Sequence, residues 1–291
     1  MVLLGWLSRR SLRWLHAVGA LLGWVAWLAS PVYRRRLGDN ASLAGISTAD
    51  RRASIAQAGR MTLETPRLWL RPPSTPLADP VHWEGAELIE AVLGRPGGLL
   101  LLTPHLGTFE VAAQAYAERF GARQPITVLY RPARKRWLRE LEAVARERPG
   151  MSSAPTTLAG VRQMLRALRQ GQTIGLLPDQ VPPKDQGIWA PYFGRPAYTM
   201  TLAARLVRQT GAQPLAIWCE RLPRGAGFRV RVQPLAEPLP PPPPAGADAA
   251  AEEAWTLQAT HAINRSIEAM VRQCPAQYLW GYQRYKRPRR G

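Results

Sequence analysis

The sequence predicts an α/β fold: a central mixed, mostly parallel sheet flanked by helices, preceded by an apolar N-terminal helix. Three observations carry this reading. Between Leu99 and Cys219, apolar runs of strand length alternate with single helical segments, the pattern of a sheet covered by helices on both faces. Phe228 to Val232 alternates apolar and basic residues like an antiparallel strand, which makes the sheet mixed. Trp14 to Tyr33 carries no formal charge apart from a possible one on His16, and about 20 such residues cross a bilayer.

The elements follow in order. The leader has Arg9, Arg10 and Arg13 before the apolar run and Arg34, Arg35 and Arg36 after it; four of the eleven Trp lie in the first 27 positions. Trp and Arg at the margins suit the headgroup region. Basic flanks on both sides leave orientation open, so a span and a helix lying in the cytoplasmic interface both fit. Ala29-Ser30-Pro31 is a poor signal-peptidase site. Ala49 to Trp69 is helical and is broken by Pro72, Pro73, Pro76 and Pro80. Gly85 to Leu93 is a short helix ending at Gly94. Gly98 to Thr103 is a continuous apolar strand bounded by Pro96-Gly97 and Pro104. Then come a helix over Phe109 to Arg119, a strand over Pro125 to Tyr130, helices over Lys135 to Arg148 and Leu158 to Arg169, and a strand over Thr173 to Leu177. A loop of about twenty residues, long for a passive connection, precedes a helix over Thr199 to Gln209. A strand over Gln213 to Cys219 follows. Pro238 to Ala245 contains six prolines and reads as a surface loop. Glu252 to Arg272 is the last helix. Residues 1–40 are expected as a membrane anchor or interfacial helix, and 41–291 as the folded domain.

With 291 residues, 46% of them hydrophobic, the chain can bury a sizeable core. Its 39 Lys and Arg against 20 Asp and Glu give a net charge of +19, which attracts polyanions without choosing among them. Cys219 and Cys274 have neither disulfide-scaffold nor metal-ligand spacing.

The chemistry concentrates in Thr103-Pro104-His105-Leu106-Gly107-Thr108-Phe109-Glu110. Of four His, only His105 stands at the carboxyl end of an expected strand, where open α/β sheets place their ligands. An imidazole takes a proton near neutral pH, and a carboxylate such as Glu110 can hold its tautomer; in the first turn of a helix, Glu110 also serves the helix dipole. Asp179, in Pro178-Asp179-Gln180, again follows a strand. A basic set, Arg131, Arg146, Arg148, Arg162, Arg166 and Arg169, lies near strand ends, suited to phosphate oxygens.

These segments together resemble the lipid A biosynthesis (late lauroyl/myristoyl) acyltransferases, within the lysophospholipid acyltransferase group. The resemblance covers nearly the whole chain: the basic apolar leader, His105 to Glu110 as an H-x4-E box, Tyr130-Arg131-Pro132, Ala145 to Arg148, Pro178-Asp179-Gln180, Phe193-Gly194, Pro275 to Trp280 and Arg284 to Pro288. It implies a glycerol-phosphate-acyltransferase-like fold. It also implies acyl transfer from a thioester, with acyl carrier protein as donor, to a hydroxyl of a lipid A precursor at the cytoplasmic face of the bacterial inner membrane. No cofactor and no metal are implied. His105 would be the general base and Glu110 its orienting partner; Arg146 would bind phosphate or stabilise developing charge. Tyr130, Arg131, Arg148, Asp179 and Gln180 would contact substrate. The chain departs from the family where Ala133-Arg134-Lys135-Arg136 stands in place of a common Asn. Glu rather than Asp at position 110 favours the lipid A branch. Two other readings are another lysolipid or glycolipid acceptor, and a non-enzymatic basic protein on membrane or nucleic acid. The second lacks any helix-turn-helix, zinc or RNA-binding signature, so no nucleic-acid partner is expected.

Overall fold

The computed structural model describes residues 2–130, 132–133 and 135–288. Four helices open the chain: α1 (Val2–Ser8), α2 (Leu12–Ala29), α3 (Pro31–Leu43) and α4 (Thr48–Trp69). The apolar leader is therefore divided. Ser30 ends α2, and its hydroxyl accepts from the Tyr33 amide to start α3, with Pro31 in the first helical position. The expected boundary at residue 40 falls inside α3. Asn40 donates to the carbonyls of Trp280 and Tyr282, both at 2.7 Å, tying α3 to the far end of the chain.

The remaining elements are β1 (Val81–Glu84), α5 (Ala86–Glu90), β2 (Leu99–Leu102), α6 (Phe109–Phe120), β3 (Ile126–Tyr130), α7 (Arg136–Arg146), β4 (Met151–Pro155), α8 (Leu158–Arg169), β5 (Thr173–Leu176), β6 (Gly187–Tyr192), β7 (Arg195–Met200), α9 (Leu202–Thr210), β8 (Gln213–Arg221), β9 (Phe228–Gln233) and α10 (Ala249–Gln273). Seven strands form one sheet in the order β1-β9-β8-β2-β5-β3-β4. All neighbours are parallel except β8 and β9, so the mixed, mostly parallel sheet expected from the pattern is what forms.

β2 is central and wholly buried. Leu100 and Leu102 face a core built with Met164, Leu206 and Ile267. Leu99 and Leu101 face the other, with Tyr116, Phe120 and Val230. Each such leucine contributes about 1.5–3 kcal/mol by leaving water, and this two-sided burial explains why β2 reads as an unbroken apolar run.

Four strands were not legible in the sequence. β1 and β4 are the sheet edges, short and without a continuous apolar run (VHWE, MSSAP), and edge strands bury too little to need one. The long loop after Asp179 contains the hairpin β6–β7, turned by Phe193 and Gly194 at φ 46° and 74°, the left-handed pair of a tight hairpin turn. The following helix therefore starts at Leu202, three residues later than expected.

Candidate active site

The site is built at the carboxyl ends of β2 and β5. These strands pair in parallel with Leu102 opposite Leu176. His105 and Asp179 each lie three residues beyond that pair, so strand register alone brings them to adjacent positions. The backbone after β2 is fixed on both sides. Thr108 N donates to Cys219 O at 2.8 Å and Gly107 N to Gln277 O at 3.0 Å; Leu279 N donates to His105 O at 3.1 Å. Gly107 has φ 60°, and a Cβ there would fall on the Cys219 carbonyl oxygen. Gly107→Ala is expected to cost at least about 1–3 kcal/mol and, two residues from His105, to lower activity. Thermal unfolding with activity assayed well below the transition checks both effects.

His105 Nδ1 lies 2.7 Å from Asp179 Oδ1, and the His105 backbone amide donates to Asp179 Oδ2 at 2.9 Å. The Tyr278 hydroxyl donates to the same Oδ2 at 3.2 Å, and Tyr192 Oη lies 3.1 Å from Tyr278 Oη. Burial works against the Asp179 carboxylate. The charge and hydrogen bonds of His105, with Arg284 beyond, outweigh that and hold its pKa below the ordinary value. An ionised Asp179 accepts the Nδ1 proton, which leaves Nε2 as the basic nitrogen. Gln180 Nε2 sits 3.0 Å from it, and the Phe109 ring packs against the imidazole edge-on at 5.0 Å.

Glu110 is placed differently from the expectation. Its carboxylate accepts from Arg146 Nη2 at 2.8 Å, and among the described residues no hydrogen bond joins it to His105. The orienting partner of the imidazole is Asp179, 74 residues away, because neighbouring strand ends converge, whereas Glu110 has already entered α6. Arg146 is largely buried and sits over the rings of Trp69 and Tyr130, at 5.5 and 5.3 Å. Arg148, expected at the substrate, is instead committed to structure. It is 8% exposed and donates to the carbonyls of Leu68, Arg71, Pro72 and Ala145; burial pushes its pKa down to about 10. Arg162, Arg166 and Arg169 face solvent on α8. Arg131 lies outside the described residues.

A buried ionic knot under the turn that follows His105 was missed entirely. Glu64 of α4 accepts two bonds from Arg221 at the end of β8, each 2.8 Å, one from Thr108 Oγ1 at 2.6 Å, and faces His16 Nε2 at 2.8 Å. Arg221 also donates to Gly107 O at 3.1 Å and to Gln57 Oε1 at 2.9 Å. Glu64 and Arg221 stand 157 residues apart. The one sequence signal was Glu64 itself, the only glutamate of α4.

The arrangement suits proton abstraction from a hydroxyl: an imidazole with a fixed tautomer, while a guanidinium is held separately on Glu110 at the start of α6. Bacterial lipid A biosynthesis acyltransferases match as a family over residues 14–287. A lipid A biosynthesis lauroyltransferase of Escherichia coli (strain K12) is 28% identical over 69% of this chain and 60% of its own length. A lipid A biosynthesis palmitoleoyltransferase of the same organism is 23% identical over 78% of this chain and 68% of its own. The chain thus spans about three-fifths of the lauroyltransferase it matches. With nearly its whole described length covered by that family match, the chain belongs to the bacterial lipid A biosynthesis acyltransferase family.

Proposed function

We propose that this protein moves a fatty acyl group from an acyl thioester, carried by acyl carrier protein, to a hydroxyl of a lipid A precursor at the cytoplasmic face of the inner membrane. The observation that carries the chemistry is the clasp of Asp179 on both the Nδ1 and the backbone amide of His105. His105 Nε2 takes the proton of the acceptor hydroxyl as its oxygen attacks the thioester carbonyl. The C–O bond forms, the C–S bond breaks, and the proton passes to the departing thiolate. No acyl-enzyme is needed. Gln180, on Nε2 in this structure, yields its place to the hydroxyl. Glu110 positions Arg146, whose guanidinium meets a phosphate of the acceptor or the charge developing on the carbonyl oxygen. Family membership supports the acceptor class. The net charge of +19 and the exposed arginines of α8 support attraction of two acidic substrates.

Two measurements test this. In the parent organism, deletion is expected to remove one acyl mass from lipid A; an unaltered lipid A spectrum would move the acceptor to another lipid. In vitro, His105→Ala is expected to cut transfer from acyl carrier protein by about 10²–10⁴-fold. Unchanged turnover would dispose of the proposed base.

A further inference from the structure

α2 is the one helix among the described residues long and apolar enough to cross a membrane. Its surroundings argue against crossing. One stripe, Leu12, His16, Gly19 and Gly23, is buried against α4. The two helices run antiparallel at backbone contact: a Cβ on Gly19 would lie 2.7 Å from the Gly59 carbonyl oxygen, and one on Gly23 would fall on that of Ile55. A G-x-x-x-G stripe in an apolar helix commonly pairs two membrane helices; here α4 already fills it. His16 closes the lower end on Glu64.

α4 cannot enter hydrocarbon. Over the paired stretch it carries Arg52, Arg60, Glu64 and Arg67, and charged side chains are strongly disfavoured there. The 18 residues of α2 measure about 27 Å, barely a bilayer core. Past Gly23 only Trp24–Ala29 remains, about 9 Å. The opposite stripe of the leader, with Trp14, Leu21, Val25, Leu28 and Val32, is exposed and wholly apolar. Basic residues border it: Arg10 stacks on the Trp6 ring at 4.5 Å, and Arg34 caps the Leu28 carbonyl at 2.6 Å, beside the exposed Arg35 and Arg36.

We infer that α2, with its basic margins, is a monotopic anchor: it lies in the plane of one leaflet on anionic headgroups, locked to α4, with the N-terminus on the same side as His105. This rests on the membrane reading above and commits it to a lipid surface rather than a span or a second copy. An in-plane helix places Trp14, Leu21 and Leu28 at one shallow depth; a span separates the first and last by about 21 Å.

The test uses the full chain with Cys274→Ser, since Cys219 is buried. Single variants Trp14→Cys, Leu21→Cys and Leu28→Cys carry a fluorophore in phosphatidylethanolamine–phosphatidylglycerol vesicles, quenched by lipids brominated at graded depths. Equal shallow depths, and partitioning reduced at least tenfold in purely zwitterionic vesicles, are expected. In cells, an impermeant maleimide should label Val2→Cys and the body control Glu253→Cys together in inverted vesicles, and neither in spheroplasts. Graded depths, or labelling of Val2→Cys from spheroplasts, overturn the anchor while leaving membrane residence intact. A label at position 21 shielded by a stable dimer puts a second copy there instead. Recovery of the protein in the soluble fraction overturns the membrane reading itself.

Discussion

Asp179→Asn is expected to lower acyl-transfer turnover by roughly 10³–10⁴-fold while leaving the fold intact, the scale seen when the carboxylate behind a catalytic histidine is neutralised. The carboxylate fixes the proton on Nδ1, so that Nε2 can accept one. An amide can donate to Nδ1 as readily as accept from it, and the imidazole then turns its N–H toward substrate. Glu110→Gln leaves the imidazole tautomer untouched. Its loss should come through Arg146 and should appear in acceptor KM more than in the pH profile. Because the Asp179 pKa lies below the ordinary carboxylate value, its own ionisation should not limit the rate near neutral pH; only acidification past that lowered value protonates it. Steady-state kinetics of the two variants decides the matter. Turnover within tenfold of the parent for Asp179→Asn, with Glu110→Gln lower, would return the orienting role to Glu110.

Glu64→Leu is expected to cost about 3–5 kcal/mol, since it leaves Arg221 charged, buried and unpaired. For a chain this size that is a fall of roughly 6–20 °C in the unfolding midpoint, a large part of a total stability of about 5–15 kcal/mol. The double variant Glu64→Leu with Arg221→Met should recover much of it, because a matched apolar pair carries no desolvation debt. Burial alone would raise the Glu64 pKa; Arg221 and His16 overcome it and the pKa is lowered. The sign follows: this stability is present above the ordinary carboxylate value and is lost as pH falls through the lowered one. Thermal melts at neutral and acidic pH measure it, and a single variant within 1 kcal/mol of the parent would falsify the knot as a stabilising element. The knot also grips Gly107 O and Thr108 Oγ1, so activity should drop well below the melting range.

The parallel centre of the fold was legible because buried strands announce themselves as apolar runs bracketed by Pro and Gly. Edges β1 and β4 did not, having one face or less to bury. Pro191 and Pro196 pair across the β6–β7 hairpin, and prolines in a run argue for loop. At the site, His105, Asp179 and Gln180 were readable as strand-end polar residues. Their partnership was not. Choosing between Glu110 and Asp179 for the imidazole needs the strand order, and the sequence does not reveal that β5 lies beside β2 in the seven-stranded sheet. Arg148 was misread for a related reason: a basic residue next to Arg146 looks like a second phosphate ligand until four carbonyls are seen around it.

The segment from Gln277 to Tyr282 has a consequence for the timing of synthesis. Gln277 O receives Gly107 N, Leu279 N meets His105 O, and Tyr278 braces Asp179, while Tyr282 Oη accepts from the amide of Val181, two residues past Asp179. All four emerge from the ribosome after every residue they support. A nascent chain therefore completes α2 long before the His105–Asp179 pair is braced, and a chain terminated ahead of Gln277 lacks all four of these supports.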